Sequence, residues 1–137
     1  MFQLAAETLF ELASNKKFLG GKIGMTGALH THSRKLDFHP HIHYIVPGIA
    51  FDPEKRICIQ SRNCFLIPGL VLDRLFKGKF LGGLKALGFS FPSALNLKEW
   101  VVDCQFAGRG ESALKYLSRY LYRGVLSEKN IISHRDG

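Results

Sequence analysis

Phe38-His39-Pro40-His41-Ile42-His43-Tyr44-Ile45-Val46 sets three histidines within five residues and then turns apolar at once. In a strand, alternate side chains face the same side, so His41 and His43 share one face while Ile42 and Tyr44 take the other. Two imidazoles one strand-step apart can grip a single divalent cation, and the intervening isoleucine anchors the strand in the core. A second pair, His30 and His32, lies just upstream. Four of the six histidines therefore fall close enough to help build one metal site.

The bulk numbers bound what such a site could serve. A chain of 137 residues is one domain at most, residues 1–137, and long enough for a sizeable core. An apolar fraction of 46% and a mean hydropathy near zero belong to a globular protein. Lys and Arg outnumber the acids 19 to 11, giving a net charge of +8 and a pI near 9.6. That balance points to a polyanionic partner, nucleic acid first and an anionic membrane surface second. No apolar stretch approaches the roughly 20 residues that span a bilayer, and the N-terminus lacks the order of a secretory signal. Cys58, Cys64 and Cys104 are scattered thiols without close pairing, as expected of small buried filler in a reducing cytosol. The histidine doublet by itself names no chemistry, since zinc hydrolases and cupin barrels also hold metals with neutral histidines. A cupin would place a glutamate shortly after the doublet, where Pro47 stands.

Along the chain, residues 2–13 space Phe2, Ala5, Ala6, Leu9, Phe10 and Ala13 as one face of an amphipathic helix, with Glu7 and Glu11 opposite. Residues 22–32 read as a strand, 33–37 as a polar turn and 39–46 as the histidine strand. Pro47-Gly48 ends it, and Asp52-Pro53-Glu54 marks a turn between short strands near 49–51 and 56–60. A long helix is expected over 68–87, with Pro68 in its first turn. Gly78, Gly82 and Gly83 weaken that helix and suggest a bend or a close backbone contact. A strand at 100–106 and a final helix from 111 to about 123 follow, the latter opened by Gly108-Arg109-Gly110. The fold class is α+β, an antiparallel sheet flanked by helices.

The closing helix carries the second half of the argument. Tyr116 and Tyr120 are four apart and so share a face, flanked by Arg119 and Arg123. Tyrosines at that spacing commonly pack in a core with wet hydroxyls. Beside a metal site and a basic surface they acquire another use, because a phenol attacks phosphorus once cations polarise the phosphate and steady the phenolate.

Taken together, His41-Ile42-His43 inside Phe38–Gly48, the upstream Ala28-Leu29-His30-Thr31 and the Tyr116-Leu-Ser-Arg-Tyr120 helix resemble the catalytic domain of the HUH two-tyrosine transposases. This rolling-circle insertion-sequence group also resembles plasmid relaxases and replication initiators. Phe76-Lys-Gly-Lys-Phe80 and Trp100-Val-Val102 fit the same likeness, which covers nearly the whole chain. The resemblance implies a bacterial cytoplasmic enzyme that nicks and transfers single-stranded DNA at mobile-element ends and hairpins. Tyr116 and Tyr120 would be its nucleophiles, through a 5′-phosphotyrosine. It also implies Mg²⁺ or Mn²⁺ held by His41, His43 and a third imidazole. His30 fits the relaxase separation from His41, and His32 competes by sharing its face. His39 is a candidate for a hydrogen bond to a phosphate or a ligand water. Lys79, Arg109, Lys115, Arg119 and Arg123 would meet the DNA.

Relatives begin with a cysteine-rich zinc segment and a first strand that this sequence lacks, and they continue past Asn130. A truncated catalytic domain, short of one strand, is therefore expected. Its exposed sheet edge would invite dimerisation. Two other readings stand beside the transesterase: an inactive remnant that only binds DNA, and a histidine-metal hydrolase.

Overall fold

The computed structural model describes residues 1–33, 35–61, 66–97, 100–108 and 110–121, with the backbone alone at 96, 97, 116, 117 and 119–121. Among the described residues, four helices and four strands follow one another as α1 (Phe2–Ser14), β1 (Thr26–His32), β2 (Phe38–Ile45), β3 (Ile49–Asp52), β4 (Ile57–Gln60), α2 (Gly69–Ala86), α3 (Ala94–Leu97) and α4 (Glu111–Leu121). The class is α+β and the pairing antiparallel, as expected. The strands form two separate ribbons, β1–β2 and β3–β4, rather than one sheet. The chain divides into two compact units. The first comprises Met1–Gly24 with Pro47–Phe106; the second joins Met25–Val46 to the segment beginning at Ala107, which carries α4.

In the first unit α1 packs on α2, but its buried stripe is rotated from the expected face. Thr8, Leu12 and Ala13 are buried, while Phe2 and Phe10 reach solvent. A threonine can occupy that stripe because its hydroxyl donates to the Leu4 carbonyl at 2.7 Å, so the buried hydroxyl is paired. Gly20, at φ 74°, turns the chain after α1, its N–H donating to the Ala13 carbonyl at 2.9 Å. Lys22 then pairs with Phe51 of β3 through two backbone hydrogen bonds of 2.7 and 2.8 Å. Gly21 lets this approach happen, since a Cβ there would stand 2.8 Å from the Phe51 carbonyl oxygen. The β3–β4 turn is tied by the Asp52 carboxylate, which accepts from the N–H groups of Glu54 and Lys55.

Pro68 sits at the N-cap of α2 rather than inside its first turn. The helix ends in a Schellman arrangement: Gly88 at φ 83° donates to Lys85, and Phe89 donates back to Leu84. The interior glycines do not bring another backbone close. Gly78 and Gly82 face open space and Gly83 makes an ordinary contact with Leu4. The strand expected at residues 100–106 is absent. Its alternation survives, with Trp100, Val102 and Cys104 turned inward and Val101 93% exposed. Trp100 meets a helix, not a strand: it packs against Phe76 and Phe80 at centroid distances of 5.6 and 5.3 Å. The Val102 carbonyl approaches Gly69 closely enough that a Cβ there would lie 3.1 Å away. A helix offers no free edge for a ladder, and the segment joins neither ribbon.

The second unit holds the β1–β2 hairpin and α4. Among the described residues, every buried side chain of the chain belongs to the first unit. Gly108 and Gly110, at φ 94° and 53°, supply the turn that opens α4. A Cβ at Gly108 would collide with Ser112 at 2.8 Å.

Candidate metal centre and tyrosine helix

The antiparallel register of the hairpin sets His30 directly opposite His41 and Ala28 opposite His43, so the three imidazoles fall on one face of a two-stranded ribbon. Ring centroids confirm the convergence: His30 to His41 is 5.3 Å, His30 to His43 is 5.1 Å and His41 to His43 is 5.0 Å. One ring nitrogen from each lies within 4.8 Å of the others. Two nitrogens bound to one ion at about 2.1 Å can be at most about 4.2 Å apart. Small rotations about the side-chain torsions would close the remaining gap, so the donor set fits a single divalent cation.

Two further features prepare these rings. The Nδ1 of His41 lies 2.7 Å from the His39 carbonyl oxygen. A carbonyl only accepts, so Nδ1 carries the proton and Nε2 keeps its lone pair for a metal. His43 is held below its ordinary pKa of 6.5, first by burial and then by the neighbouring His41 and His30. A ring kept neutral is a ring able to ligate.

The two remaining histidines of this region take other places. The register shifts between His30 and His32, and His32 comes to face Phe38, with centroids 6.0 Å apart. Its Nδ1 meets the Thr31 hydroxyl at 2.9 Å. His32 does not join the three-imidazole group. The ring of His39 lies 5.2 Å from that of His41, and its backbone carbonyl is what the His41 Nδ1 meets. Composition and periodicity carry no trace of this role, since any residue at 39 has a carbonyl.

α4 carries Tyr116 and Tyr120 on its backbone in the same compact unit as the hairpin. Their side chains, and that of Arg119, lie outside the described residues, as do Arg109 and Arg123 altogether. Lys115 is exposed and bridges to Glu111 one turn earlier at 2.8 Å. Lys79 belongs to the first unit and is engaged by Glu11 at 2.7 Å, joining α2 to α1. DNA would have to open that pair to use it.

Comparison with known proteins adds an independent line. A family described as "Putative transposase" matches residues 24–137. The chain is 35% identical over 159 aligned positions to "Putative transposase y4qJ" of Sinorhizobium fredii, an alignment covering 100% of this chain and 40% of that protein. It is 39% identical over 54 residues to the transposase for insertion sequence element IS801 of Pseudomonas savastanoi pv. phaseolicola, covering 39% of this chain and 12% of that protein. No solved structure matches. The chain thus spans about two fifths of the length of the first of these relatives.

Proposed function

This chain belongs to the transposase family, and we propose on that footing that it serves DNA transposition by nicking and transferring single-stranded DNA. The observation that carries the proposal is the cluster of His30, His41 and His43 on one hairpin face, in the compact unit that also contains the tyrosine helix. Mg²⁺ or Mn²⁺ held there would supply Lewis-acid polarisation of the scissile phosphate.

The protein's own groups do the rest. His39 fixes the tautomer of His41 through its carbonyl, and burial with like-charge neighbours lowers the His43 pKa, which favours its neutral form. The hydroxyl of Tyr116 or Tyr120 attacks the phosphorus and gives up its proton. The bond from phosphorus to the 3′ oxygen breaks, leaving a 5′-phosphotyrosine and a free 3′-OH. The second tyrosine permits another exchange before the first link is released. Arg109, Lys115, Arg119 and Arg123 meet the flanking phosphates, in keeping with the net charge of +8.

The test is incubation with Mn²⁺ and a library of single-stranded hairpins, followed by denaturing electrophoresis. A protein–DNA adduct that survives denaturation, disappears with chelator and is lost in the Tyr116→Phe, Tyr120→Phe double variant is expected. Binding without an adduct would leave a DNA-binding remnant. Strand cleavage without an adduct would point to the hydrolase.

A further inference from the structure

The turn joining β1 to β2 is laced tightly and yet presents apolar side chains to water. The Ser33 N–H donates to the Asp37 carbonyl at 2.9 Å, and the Leu36 N–H to the Ser33 carbonyl at 3.0 Å. The Lys35 N–H reaches the Ser33 hydroxyl at 3.1 Å. This lacing holds Leu36 at φ 67°, a left-handed conformation that bulky residues rarely adopt. Arg56 shares that conformation in the β3–β4 turn, but there a charged side chain is suited to solvent. Leu36 is 51% exposed, and Phe38, which begins β2, is 77% exposed. The Phe38 ring leans on the edge of His32 at an interplanar angle of 77°. Exposed apolar side chains occur elsewhere on the chain. Phe38 differs in standing next to a hydrogen-bonded turn and immediately before His39, whose carbonyl lies 2.7 Å from the His41 Nδ1. Three strand steps lead from it to His41, roughly 10 Å at about 3.3 Å per residue, and the register shift sets it opposite His32, two residues along β1 from His30. Lys35 stands exposed on the same turn.

We propose that Phe38, backed by His32, is a stacking platform for one unpaired base next to the phosphate gripped at the histidine cluster, with Lys35 meeting a neighbouring phosphate. The inference rests on the single-stranded DNA reading above and adds to it a subsite for the base. An aromatic face outside a duplex suits any base, because each offers a π-surface, so the platform positions the strand without reading its sequence. A phenylalanine has only two side-chain torsions to fix when a base covers it, so little freedom is lost. His32, which the metal cluster leaves aside, acquires a task as the brace that sets the ring's angle.

The experiment uses the full chain with metal chelated, so that no chemistry competes with binding. Fluorescence anisotropy compares a labelled single-stranded oligodeoxyadenylate with an abasic phosphodiester strand of the same length. The wild type should prefer the strand with bases. Phe38→Ala should lose roughly 5- to 150-fold in affinity for that strand, as expected for one stacked base, and change little on the abasic one. Phe38→Trp should retain the preference, and Phe38→Leu, apolar but without a ring face, should lose it. Equal losses on both strands, retention by Phe38→Leu, or no effect of Phe38→Ala would overturn the platform while leaving the DNA reading intact. Failure of the wild type to bind either strand would defeat both.

Discussion

His43 joins burial to like-charge proximity in one ring, and both lower its pKa. Its folded pKa lies below the ordinary 6.5. Above that value the ring is neutral in both folded and unfolded chains, and the full stability is present. As pH falls below 6.5 the unfolded chain binds the proton first, so stability is lost until the folded ring also protonates. Melting of the metal-free protein should therefore occur at lower temperature at pH 5.5 than at 7.5, with a weaker pH dependence in His43→Asn. Metal binding should follow the same sign, since protons compete for the same lone pairs. Replacing His41 by alanine should cost at least about 10- to 100-fold in Mn²⁺ affinity by titration, because even the groups that merely orient such ligands carry that much. At Leu36 the backbone strain predicts the opposite kind of change. Leu36→Gly relieves a left-handed leucine worth about 1–2 kcal/mol, set against about 0.5–1 kcal/mol of added chain entropy. Its melting temperature should equal or slightly exceed that of the wild type.

The elements show what alternation can and cannot tell. The histidine strand was legible because His41, His43 and their apolar neighbours alternate without a break. The antiparallel register brings His30 across from His41, whereas in the sequence only the likeness to relaxases favoured His30 over His32. Residues 100–106 alternate just as well and are no strand. A period of two reports which side chains face inward, not whether they meet a ladder or, as with Trp100, a helix. The rotation of α1 had a similar cause: Thr8 reads as polar, yet its bond to Leu4 lets it be buried while Phe10 is not. Nothing in the pattern of Lys79 announced its pairing with Glu11 across two helices. Where two backbones nearly touch, substitution should be costly. Gly21→Ala would push a methyl against the Phe51 carbonyl and should destabilise by about 1–3 kcal/mol, read as an earlier denaturation midpoint with an unchanged slope.

For the whole molecule, the decisive contrast is between the two units. The buried apolar side chains of the described residues lie in the first, and the second builds its candidate site on a two-stranded ribbon, an arrangement that is marginal in water when it stands alone. A ligand that engages this ribbon should therefore show itself as stability. Mn²⁺ at about 100 times its dissociation constant contributes about 2.7 kcal/mol to whatever unfolds with the site, so hydrogen exchange at β1 and β2 should slow on adding the ion and not in His41→Ala. The net charge predicts the other global property. If about six phosphates of a single strand are met, the log of the affinity should fall with the log of salt at a slope near −4, about 0.7 per contact. A slope near zero would mean that the positive charge serves something other than a nucleic-acid backbone.

The claim beneath the proposed chemistry is that the imidazoles of the hairpin and the phenols of α4 work on a single phosphate. Paramagnetic broadening by Mn²⁺ measures this without requiring turnover. With fluorotyrosine incorporated and signals assigned through single phenylalanine replacements, the Tyr116 and Tyr120 resonances should broaden as Mn²⁺ fills the histidine site. They should stay sharp in His41→Ala. Sharp Tyr116 and Tyr120 signals in the wild-type protein with Mn²⁺ bound would place the phenols too far from the cation and contradict the account.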